Sequence, residues 1–506
     1  MKAINIMNFV RQIDERLPKD SDVLYQTTCA ELELVNEFGY ENTFLLQYDA
    51  YCDERYIRLF KDNATDRTEL GIWYEIVEPL TSACGLPYKS EMGWKWDWHI
   101  VPGFSMAYTP REREMLIDEA MRKFREVFGY YPRTVASWVI DTHTLNYLAE
   151  HYDIDAVGIC RDQTSTDAYT LVGGYFNQAY YPSKSNIFTP AQSEEYKTNI
   201  PVFRLLGSCP VHNYDGRKYV TEKTNEWLGI GGCFTLEPVW KTGASPECVD
   251  WFFKTYFENE DLGFSYAQLG QENSFGVYDF VPALRMQLEK LRDIPDVSIQ
   301  KMGDTGAWFK RTYTAMTPPT SVVATDAWDT ELDVQSVYYD SKNYMANLFR
   351  YGSQVFIRAL YLFDERVSDR YLTERCDTFD AVYENLPIVD TFSKATSKKT
   401  DCGILIDADA APFTVRKICD GALALEWEGH AVSFYEDRIE IKSPELTIYT
   451  DGITYGATVT DDGVEYEYKG ARYSLEIENA TVKKDDKRIK IYASDGACTL
   501  RPRRSK

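Results

Sequence analysis

Over residues 1–325, short apolar segments alternate with stretches whose apolar residues recur at helical spacing. An apolar run of about four to eight residues is typical of a buried strand, and a longer stretch with a period of about 3.6 is typical of a helix. Repeated strand–helix units predict an α/β fold, here a TIM-like (β/α) barrel. The predicted strands are Ile4–Asp14, Thr43–Asp49, Gly71–Ile76, Val135–Asp141, Ala156–Cys160, Val202–Leu206, Gly229–Thr235, Phe264–Gly270 and Ser298–Met302.

One predicted helix has clear start and stop signals. Thr109 precedes Pro110 and is followed three residues later by Glu112, which is the arrangement of a capping box with proline in the first turn. Apolar residues then recur at helical spacing until Gly129, a typical residue at a helix C-terminus. We therefore expect a helix between Pro110 and Gly129 that buries one face on the barrel.

The rest of the chain is expected to form two further units. Residues 326–394 are interpreted as a helical segment packed on the barrel, with an apolar seam at Tyr344, Leu348, Phe356, Ile357, Leu360 and Phe363. Residues 395–506 alternate apolar and polar positions with period two, and Asp-Gly and Lys-Gly pairs separate the runs. Such runs predict antiparallel strands joined by tight turns. The last unit is therefore expected to be a β-sandwich-like accessory domain.

Two long segments between predicted elements are rich in aromatic residues. One covers residues 91–108 and includes Trp94, Trp96 and Trp98; the other covers residues 173–192. Long loops are often functional, and in a barrel the sites form at the carboxyl ends of the strands. We expect both loops to line a site at that end.

The amino-acid composition limits the binding partners and the cellular compartment that we expect. The formal net charge is −24, so neither nucleic acid nor an anionic membrane is expected to bind. Eleven cysteines without a CxxC pair favour free thiols in a reducing compartment. The N-terminal segment lacks an apolar signal core, and no run approaches the ~20 apolar residues of a membrane helix, so we expect a cytoplasmic protein. A homodimer is left open.

The stretch Thr68-Glu-Leu-Gly-Ile-Trp-Tyr-Glu75 follows the strand Asn42–Asp49 and precedes the strand Val135–His143. This order resembles the catalytic barrel of the polysaccharide deacetylases and their related glycoside hydrolases. In the deacetylases, an ATFF strand is followed by EIGxHxxxH, whose two histidines hold the metal. Trp73 and Val77 stand at the matching positions, and neither can bind a metal. The resemblance thus implies the barrel without its usual metal site.

Asp14 is the first catalytic candidate. The resemblance implies that this position, after the first strand, carries the catalytic carboxylate of the deacetylases. A carboxylate there can act as a base on water if it stays ionised and open to substrate. The alternative is a salt bridge from Asp14 to Arg11 or Arg16.

Asp141 and His143 lie where the resemblance places a third motif. On a strand their side chains would share one face, and the aspartate would orient the imidazole as an acid or base. Alternatively, His143 caps the helix that follows. Glu75 and Glu272 also end predicted strands, and either could be the acid with a raised pKa that protonates a glycosidic oxygen. The alternative for Glu272 is a structural network.

The candidates for substrate binding fall into two groups. Trp98 and His99 lie in the tryptophan-rich loop, and Tyr175 and Asn177 lie in the second loop, where aromatic rings could stack on sugars. Arg133, Arg204 and Asn347 form the second group, and two arginines could bind the carboxylate of an acidic sugar.

With Asp14, the second group is similar in placement to the inverting exo-sialidases of glycoside hydrolase family 156. Their histidine would be expected where this chain has Trp138, which is also counted as a binding candidate. The resemblance implies a glycoside hydrolase acting on a terminal sugar, with an acidic sugar among the candidates.

In this hypothesis Asp14 and the pair Asp141 and His143 activate water, and Glu272 or Glu75 is the acid or a binding group. No cofactor and no metal are expected. The alternatives are a metal-dependent carbohydrate deacetylase with a relocated site and a non-catalytic carbohydrate-binding barrel.

Overall fold

The computed structural model describes residues 1–18, 21–161, 173–207, 209–212, 234–259, 261–328, 332–379, 381–390, 403–450, 456–485 and 487–504. Residues 229–233 of the predicted strand Gly229–Thr235 lie outside these ranges. The helices are α1 Val23–Phe38, α2 Glu54–Asn63, α3 Glu78–Ala83, α4 Ile100–Gly103, α5 Pro110–Phe128, α6 Thr142–His151, α7 Lys241–Ala244, α8 Pro246–Phe257, α9 Val277–Lys290 and α10 Met302–Thr312.

A mostly parallel sheet occupies the first 300 residues. Its strands, with one short hairpin beside it, are β1 Lys2–Val10, β2 Asn42–Leu46, β3 Thr68–Trp73, β4 Thr134–Ala136, β5 Ala156–Cys160, β6 Ala179–Tyr180, β7 Pro182–Ser183, β8 Asn186–Pro190, β9 Val202–Leu205, β10 Ser265–Leu269 and β11 Val297–Gln300. The strand order is β10-β1-β2-β3-β4-β5-β9-β6, and β11 also pairs with β1. β6 runs antiparallel to β9, whereas the other strands of this order pair in parallel.

The parallel sheet curls until its two ends approach each other. The backbone N–H of Leu206, just after β9, donates a 2.7 Å hydrogen bond to Oε1 of Gln268 on β10. Phe203 and Tyr266 on the same two strands pack with ring centroids 5.1 Å apart. The described parts of β9 and β10 form no backbone ladder with each other. Within the described ranges the sheet is therefore an open, curled barrel, and closure into the predicted TIM-like (β/α) barrel is not shown.

Helix α10 covers the amino ends of the strands. The N–H of Met302 donates to Oγ1 of Thr43 at 3.0 Å, and the N–H of Gly303 donates to Oε2 of Glu69 at 2.9 Å. Thr43 and Glu69 lie near the starts of β2 and β3. The amino ends of β2 and β3 are therefore covered by this helix.

Two antiparallel sheets follow from residue 320. Their strands are β12 Thr320–Ala324, β13 Val334–Asp340, β14 Tyr344–Tyr351, β15 Gln354–Leu362, β16 Leu386–Asp390, β17 Ile404–Asp407, β18 Thr414–Cys419, β19 Ala422–Trp427, β20 His430–Tyr435, β21 Arg438–Lys442, β22 Glu445–Tyr449, β23 Gly456–Thr460, β24 Gly463–Tyr468, β25 Ala471–Glu478, β26 Ala480–Asp485, β27 Arg488–Ala493 and β28 Ala497–Arg504. One has the order β12-β13-β14-β15-β17-β22-β27-β26, with β16 beside β15, and the other has the order β18-β19-β20-β21-β28-β25-β24-β23. Both contribute side chains to one apolar cluster. The predicted C-terminal antiparallel β structure is confirmed.

The predicted helical segment at residues 326–394 is wrong. β13, β14 and β15 occupy most of the stretch that contains the expected apolar seam. Nearly every residue of these three strands is buried, so apolar side chains occur on both faces. A strand buried on both faces lacks the period-two alternation, and the remaining apolar spacing imitates a helix.

Helix α5 has the predicted ends. The side chain of Thr109 accepts a hydrogen bond from the N–H of Glu112, and the Glu112 side chain accepts one from the N–H of Thr109. Gly129 follows the helix with a φ of 87°, a conformation that suits glycine. None of the helices in the described ranges combines the length and apolar character needed to cross a lipid bilayer.

Candidate active site at the carboxyl end of the parallel sheet

Three aromatic side chains form a floor below the carboxyl end of the sheet. Phe9 on β1 stacks on Trp73 at the end of β3, with ring centroids 4.1 Å apart. Trp138 meets both rings edge-on, at 5.3 Å from Phe9 and 4.8 Å from Trp73. All three are buried. Trp73, which stands where the deacetylases carry a metal-binding histidine, thus has a packing role, and Trp138 lies in the floor beside it.

A charged cluster lies at the carboxyl ends of β1, β3 and β10. Arg11 is buried and follows β1 directly. Its guanidinium nitrogens lie 2.8 Å from Glu272, 3.4 Å from Glu75 and 3.6 Å from Asp14. The structure therefore brings together three of the carboxylates expected from the sequence, around one arginine that was considered only as a partner of Asp14.

Arg16 covers the solvent side of this cluster. Its Nη2 atom lies 2.6 Å from Oδ2 of Asp14 and 3.2 Å from Oε1 of Glu272. The Arg16 side chain is 34% exposed, whereas the side chains of Asp14 and Glu272 are 0% and 7% exposed. We call Arg11, Asp14, Arg16, Glu75 and Glu272 the carboxylate–arginine cluster. Both alternative partners of Asp14 considered from the sequence do contact it.

Trp96 closes the cluster from the tryptophan-rich loop. Its indole Nε1 donates a 2.6 Å hydrogen bond to Oε2 of Glu75. The guanidinium carbons of Arg11 and Arg16 lie 4.3 Å and 4.8 Å from the centroid of the Trp96 ring. Such cation–π contacts are stabilising, more so when desolvated. Trp96 therefore joins the loop to the charged groups at the strand ends.

The three carboxyl groups differ in the direction of their pKa shifts. Burial raises the pKa of Glu75, and neither the charge of Arg11 nor the hydrogen bond from Trp96 reverses the shift. Burial also acts to raise the pKa of Asp14, but hydrogen bonds from Arg16 and the charge of Arg11 outweigh it and leave the pKa lowered. For Glu272, burial is outweighed by the charges of Arg11 and Arg16, so its pKa is lowered. Glu75 thus keeps a proton to higher pH than the other two.

Two buried side chains hold the backbone that carries Arg11 and Asp14. Oδ2 of Asp49, after β2, accepts hydrogen bonds from the N–H groups of Gln12 at 2.9 Å and Ile13 at 2.6 Å. Asn273 accepts from the N–H of Arg11 at 3.2 Å and donates to its carbonyl oxygen at 2.9 Å. Burial raises the pKa of Asp49 to about 6, despite these backbone donors. The segment after β1 is therefore fixed on both sides.

Asp141 and His143 do not lie on one face of a strand, contrary to expectation. β4 ends at Ala136, and Asp141 is the N-cap of α6, accepting a 3.0 Å hydrogen bond from the N–H of Thr144. Asp141 also forms a buried 2.9 Å ion pair with Arg113. His143, in the first turn of α6, lies 3.3 Å from Glu114 on α5. No hydrogen bond or ion pair among the described residues joins this pair to the carboxylate–arginine cluster.

The arginines expected to bind an acidic sugar also lie elsewhere. Arg133 precedes β4 at the amino end of the sheet and forms exposed ion pairs of 2.6 Å with Asp155 and 3.0 Å with Asp304. Arg204 lies within β9, where its backbone N–H donates to the carbonyl oxygen of Gln178. Arg133 therefore lies at the opposite end of the sheet from the carboxylate–arginine cluster.

The second long loop contacts the first antiparallel sheet, and Asn347 lies within that sheet on β14. The Tyr175 hydroxyl lies 2.7 Å from Oγ1 of Thr320, and the N–H of Asn177 donates to Asp340 at 3.3 Å. Nδ2 of Asn347 on β14 donates to Oγ of Ser336 at 3.0 Å. None of these contacts reaches the carboxylate–arginine cluster.

Trp98 and His99 do lie beside the cluster. The Trp98 ring centroid is 5.9 Å from that of Trp96 and 6.0 Å from the guanidinium carbon of Arg16. His99 stacks on Trp98 with centroids 5.2 Å apart. The sequence missed Asp49 as part of the site, and it predicted Trp96 only as a member of the tryptophan-rich loop, without its hydrogen bond to Glu75. A signal existed for Asp49, since it follows a strand that ends at the same edge.

The deacetylases that the sequence resembles hold a metal, but the residues present in this chain do not fit one. Trp73 and Val77 stand at the expected ligand positions, and both are buried among apolar neighbours. Within the described ranges, no group of three or more His, Cys, Asp or Glu side chains is arranged to hold a metal ion. The three carboxylates that do converge contact the guanidinium groups of Arg11 and Arg16.

The chain belongs to DUF3863, a family of domains of unknown function with a solved structure, and residues 32–316 match it. A protein from Parabacteroides distasonis, provisionally described as a glycoside hydrolase/deacetylase, is structurally similar. Its TM-score is 0.53 at 16% sequence identity, over 75% of this chain and 87% of that chain. This likeness shows a shared fold.

Two provisionally described polysaccharide deacetylases also match more weakly. The one from Mycobacterium smegmatis has a TM-score of 0.37 and 12% identity, over 61% of this chain and 90% of that chain. The one from Pseudomonas aeruginosa PAO1 has a TM-score of 0.36 and 11% identity, over 61% and 91%. No curated protein matches the sequence significantly.

Proposed function

We propose that the protein is a glycoside hydrolase that acts on a terminal, uncharged sugar. The observation that carries the proposal is the convergence of three buried carboxyl groups, those of Asp14, Glu75 and Glu272, on Arg11 and Arg16 at the carboxyl end of the sheet. The pKa directions agree with it, because burial raises the pKa of Glu75 whereas the two arginines lower the pKa of the other two groups. A pair of carboxyl groups whose environments push their pKa values apart provides the acid and the base of glycosidic hydrolysis. The P. distasonis neighbour, provisionally described as a glycoside hydrolase/deacetylase, is consistent with this class.

The protonation state of each carboxyl group determines its role in the proposed reaction. Glu75 donates its proton to the glycosidic oxygen as the bond between that oxygen and the anomeric carbon breaks. Asp14 accepts a proton from the water whose oxygen bonds to the anomeric carbon. Glu272 stays ionised and balances the positive charge that develops on the sugar ring. Proton return from Asp14 to Glu75 through solvent completes the cycle.

Arg16 must move for a substrate to reach these groups. Its side chain is the exposed member of the cluster, and it bonds both Asp14 and Glu272. The sugar therefore enters where the Arg16 guanidinium lies and takes over hydrogen bonds to the two carboxylates. Arg11 is buried behind them and keeps their negative charge compensated.

The charge of the cluster favours an uncharged sugar. Arg11 contacts three carboxylates and Arg16 contacts two, so both guanidinium groups are already paired. A further anion would be repelled by the carboxylates that face it. Arg133, expected from the sequence to bind an acidic sugar, lies at the opposite end of the sheet. The exo-sialidase reaction accordingly loses its main support.

Hydrolysis of fluorogenic glycosides tests the proposal. A panel of uncharged pyranosides and one sialoside, each incubated with and without a chelator, separates the alternatives. Release from an uncharged glycoside that a chelator leaves unchanged is expected. Release of acetate from acetylated sugars that a chelator abolishes would instead identify a deacetylase. Sugar binding without any turnover would leave a binding protein.

A further inference from the structure

Four aromatic side chains beside the cluster form a partly exposed surface, which we call the aromatic ledge: Trp94, Trp98, His99 and Phe379. Trp94 and Trp98 have ring centroids 5.3 Å apart, and the Trp98 and His99 rings are stacked at an interplanar angle of 26°. Phe379 meets His99 edge-on at 5.1 Å. The ledge leads from the charged cluster toward solvent.

We propose that the aromatic ledge binds a second sugar ring of the substrate, on the leaving-group side of the scissile bond. The inference rests on the proposed function, because the ledge adjoins the cluster through Trp96 and Arg16. The ring centroid of Trp96 lies 5.9 Å from that of Trp98, and the guanidinium carbon of Arg16 lies 6.0 Å from the same ring. A glycoside whose terminal ring displaces Arg16 would therefore place its next ring over Trp98.

The fold holds the ledge in place although part of it faces water. Phe379 is 45% exposed, and Trp94, Trp98 and His99 are half-buried. The backbone N–H of Lys95 donates to Glu15 at 2.9 Å, which ties the loop to the segment that carries Asp14 and Arg16. A contiguous aromatic surface kept at the edge of a site is typical of ligand binding.

His99 adds a directed polar group to the ledge. The carboxylate of Asp97 lies 2.7 Å from Nδ1 of the His99 ring and also accepts the backbone N–H of His99 at 3.1 Å. Asp97 is 2% exposed, so it holds the imidazole firmly. In the described part of the chain, Nε2 of His99 has no hydrogen-bond partner. With the proton on Nδ1, this atom can accept a hydrogen bond from a sugar hydroxyl.

A sugar fits this surface better than an apolar partner does. A pyranose offers a face of C–H groups for the indole and hydroxyl groups at its rim for His99 and the guanidinium of Arg16. An apolar peptide or lipid would instead bury His99 and Arg16 without hydrogen bonds, which is costly. The ledge therefore selects uncharged glycans of two or more rings.

Binding to an array of uncharged mono- to hexasaccharides tests the ledge. The full chain carrying Glu75→Gln serves as the parent protein, since it is expected to bind without hydrolysis. We expect the parent to retain oligosaccharides at least tenfold more tightly than the matching monosaccharides. Adding Trp98→Ala or Phe379→Ala should remove that preference. Tyr492→Ala, which truncates another exposed aromatic residue, should leave it unchanged.

The outcomes separate this inference from the proposed function. If the parent binds no glycan, or if neither Trp98→Ala nor Phe379→Ala affects binding, the ledge is not a sugar site. Length-dependent binding that requires the ledge, together with no glycoside hydrolysis by the unmutated chain, would keep the binding site and overturn the proposed reaction. Hydrolysis by the unmutated chain, together with glycan binding that does not depend on the ledge, would keep the proposed reaction and overturn the binding site.

Discussion

The indole Nε1 of Trp96 donates a 2.6 Å hydrogen bond to Oε2 of Glu75. One residue belongs to a long loop and the other ends the stretch that resembles the deacetylase metal motif. Their contact shows how the motif is used here. The strand end carries a carboxyl group in place of a metal site, and the loop controls the environment of that carboxyl group.

Trp96→Phe should shift the pH dependence of hydrolysis. Burial raises the pKa of Glu75, whereas Arg11 and the Trp96 N–H oppose that shift. Phenylalanine keeps most of the packing but removes the donor, so the pKa of Glu75 should rise further. The alkaline limb of kcat/KM, which reports deprotonation of the acid, should move to higher pH. Trp98→Phe, which alters no hydrogen bond to Glu75, is the control. An alkaline limb that is unchanged in Trp96→Phe would show that Glu75 is not the acid.

Part of this arrangement could be predicted from the sequence. Asp14, Glu75 and Glu272 were each placed at the end of a parallel strand, and such ends meet at one edge of a sheet. The capping box at Thr109 and Glu112 is a local signal, and α5 begins there as predicted. Local sequence signals, such as a strand end or a helix cap, were therefore sufficient to predict these features.

Other features depend on contacts between residues far apart in the chain, which a local sequence pattern does not contain. β4 ends after three residues, so Asp141 becomes a helix cap and an ion-pair partner of Arg113. Arg11 and Arg16 were seen as neighbours of Asp14, but their shared partner Glu272 is more than 250 residues away. β14 and β15 are buried on both faces because their side chains contribute to two separate apolar clusters, a packing arrangement that a local sequence pattern does not show.

Arg11→Met should destabilise the fold strongly. The substitution leaves Asp14, Glu75 and Glu272 around an apolar side chain, and breaking a buried ion pair by removing one partner costs about 3–5 kcal/mol. Arg133→Met is the control, because Arg133 likewise contacts more than one carboxylate, Asp155 and Asp304, but its side chain is 44% exposed. That change should cost about 0–1 kcal/mol. Urea unfolding of both variants at neutral pH compares them. Equal losses of unfolding free energy in the two variants would mean that Arg11 does not stabilise the cluster.

Asp49→Asn should stabilise the protein increasingly as pH rises. The pKa of Asp49 is raised from 3.8 to about 6 in the folded state. Between these values the folded protein binds the proton more tightly than the unfolded chain, so this group makes the wild type less stable as pH increases. Asparagine does not ionise and can still accept from Gln12 and Ile13. The free energy of unfolding of Asp49→Asn, relative to that of the wild type, should therefore increase by about 3 kcal/mol between about pH 4 and pH 7.

Chemical denaturation at several pH values measures this difference. Asp53→Asn is the control, because Asp53 also accepts a backbone N–H, from Arg55, but is only partly buried. If the difference in free energy of unfolding between Asp49→Asn and the wild type stays constant across this pH range, the raised pKa of Asp49 is contradicted.

The central claim is that Glu75 is the acid of a metal-independent glycoside hydrolase. Release of the fluorophore from uncharged glycosides, in the presence of a chelator, should be compared for the wild type, Glu75→Gln and Glu69→Gln. Glu69 lies near the start of β3, whereas Glu75 follows the end of the same strand; burial raises the pKa of Glu69 too, but Glu69 sits at the opposite end of the sheet. The account predicts that kcat falls by about 10²–10⁴ in Glu75→Gln and stays near the wild-type value in Glu69→Gln. Equal activity of the two variants, or no release by the wild type, would contradict it.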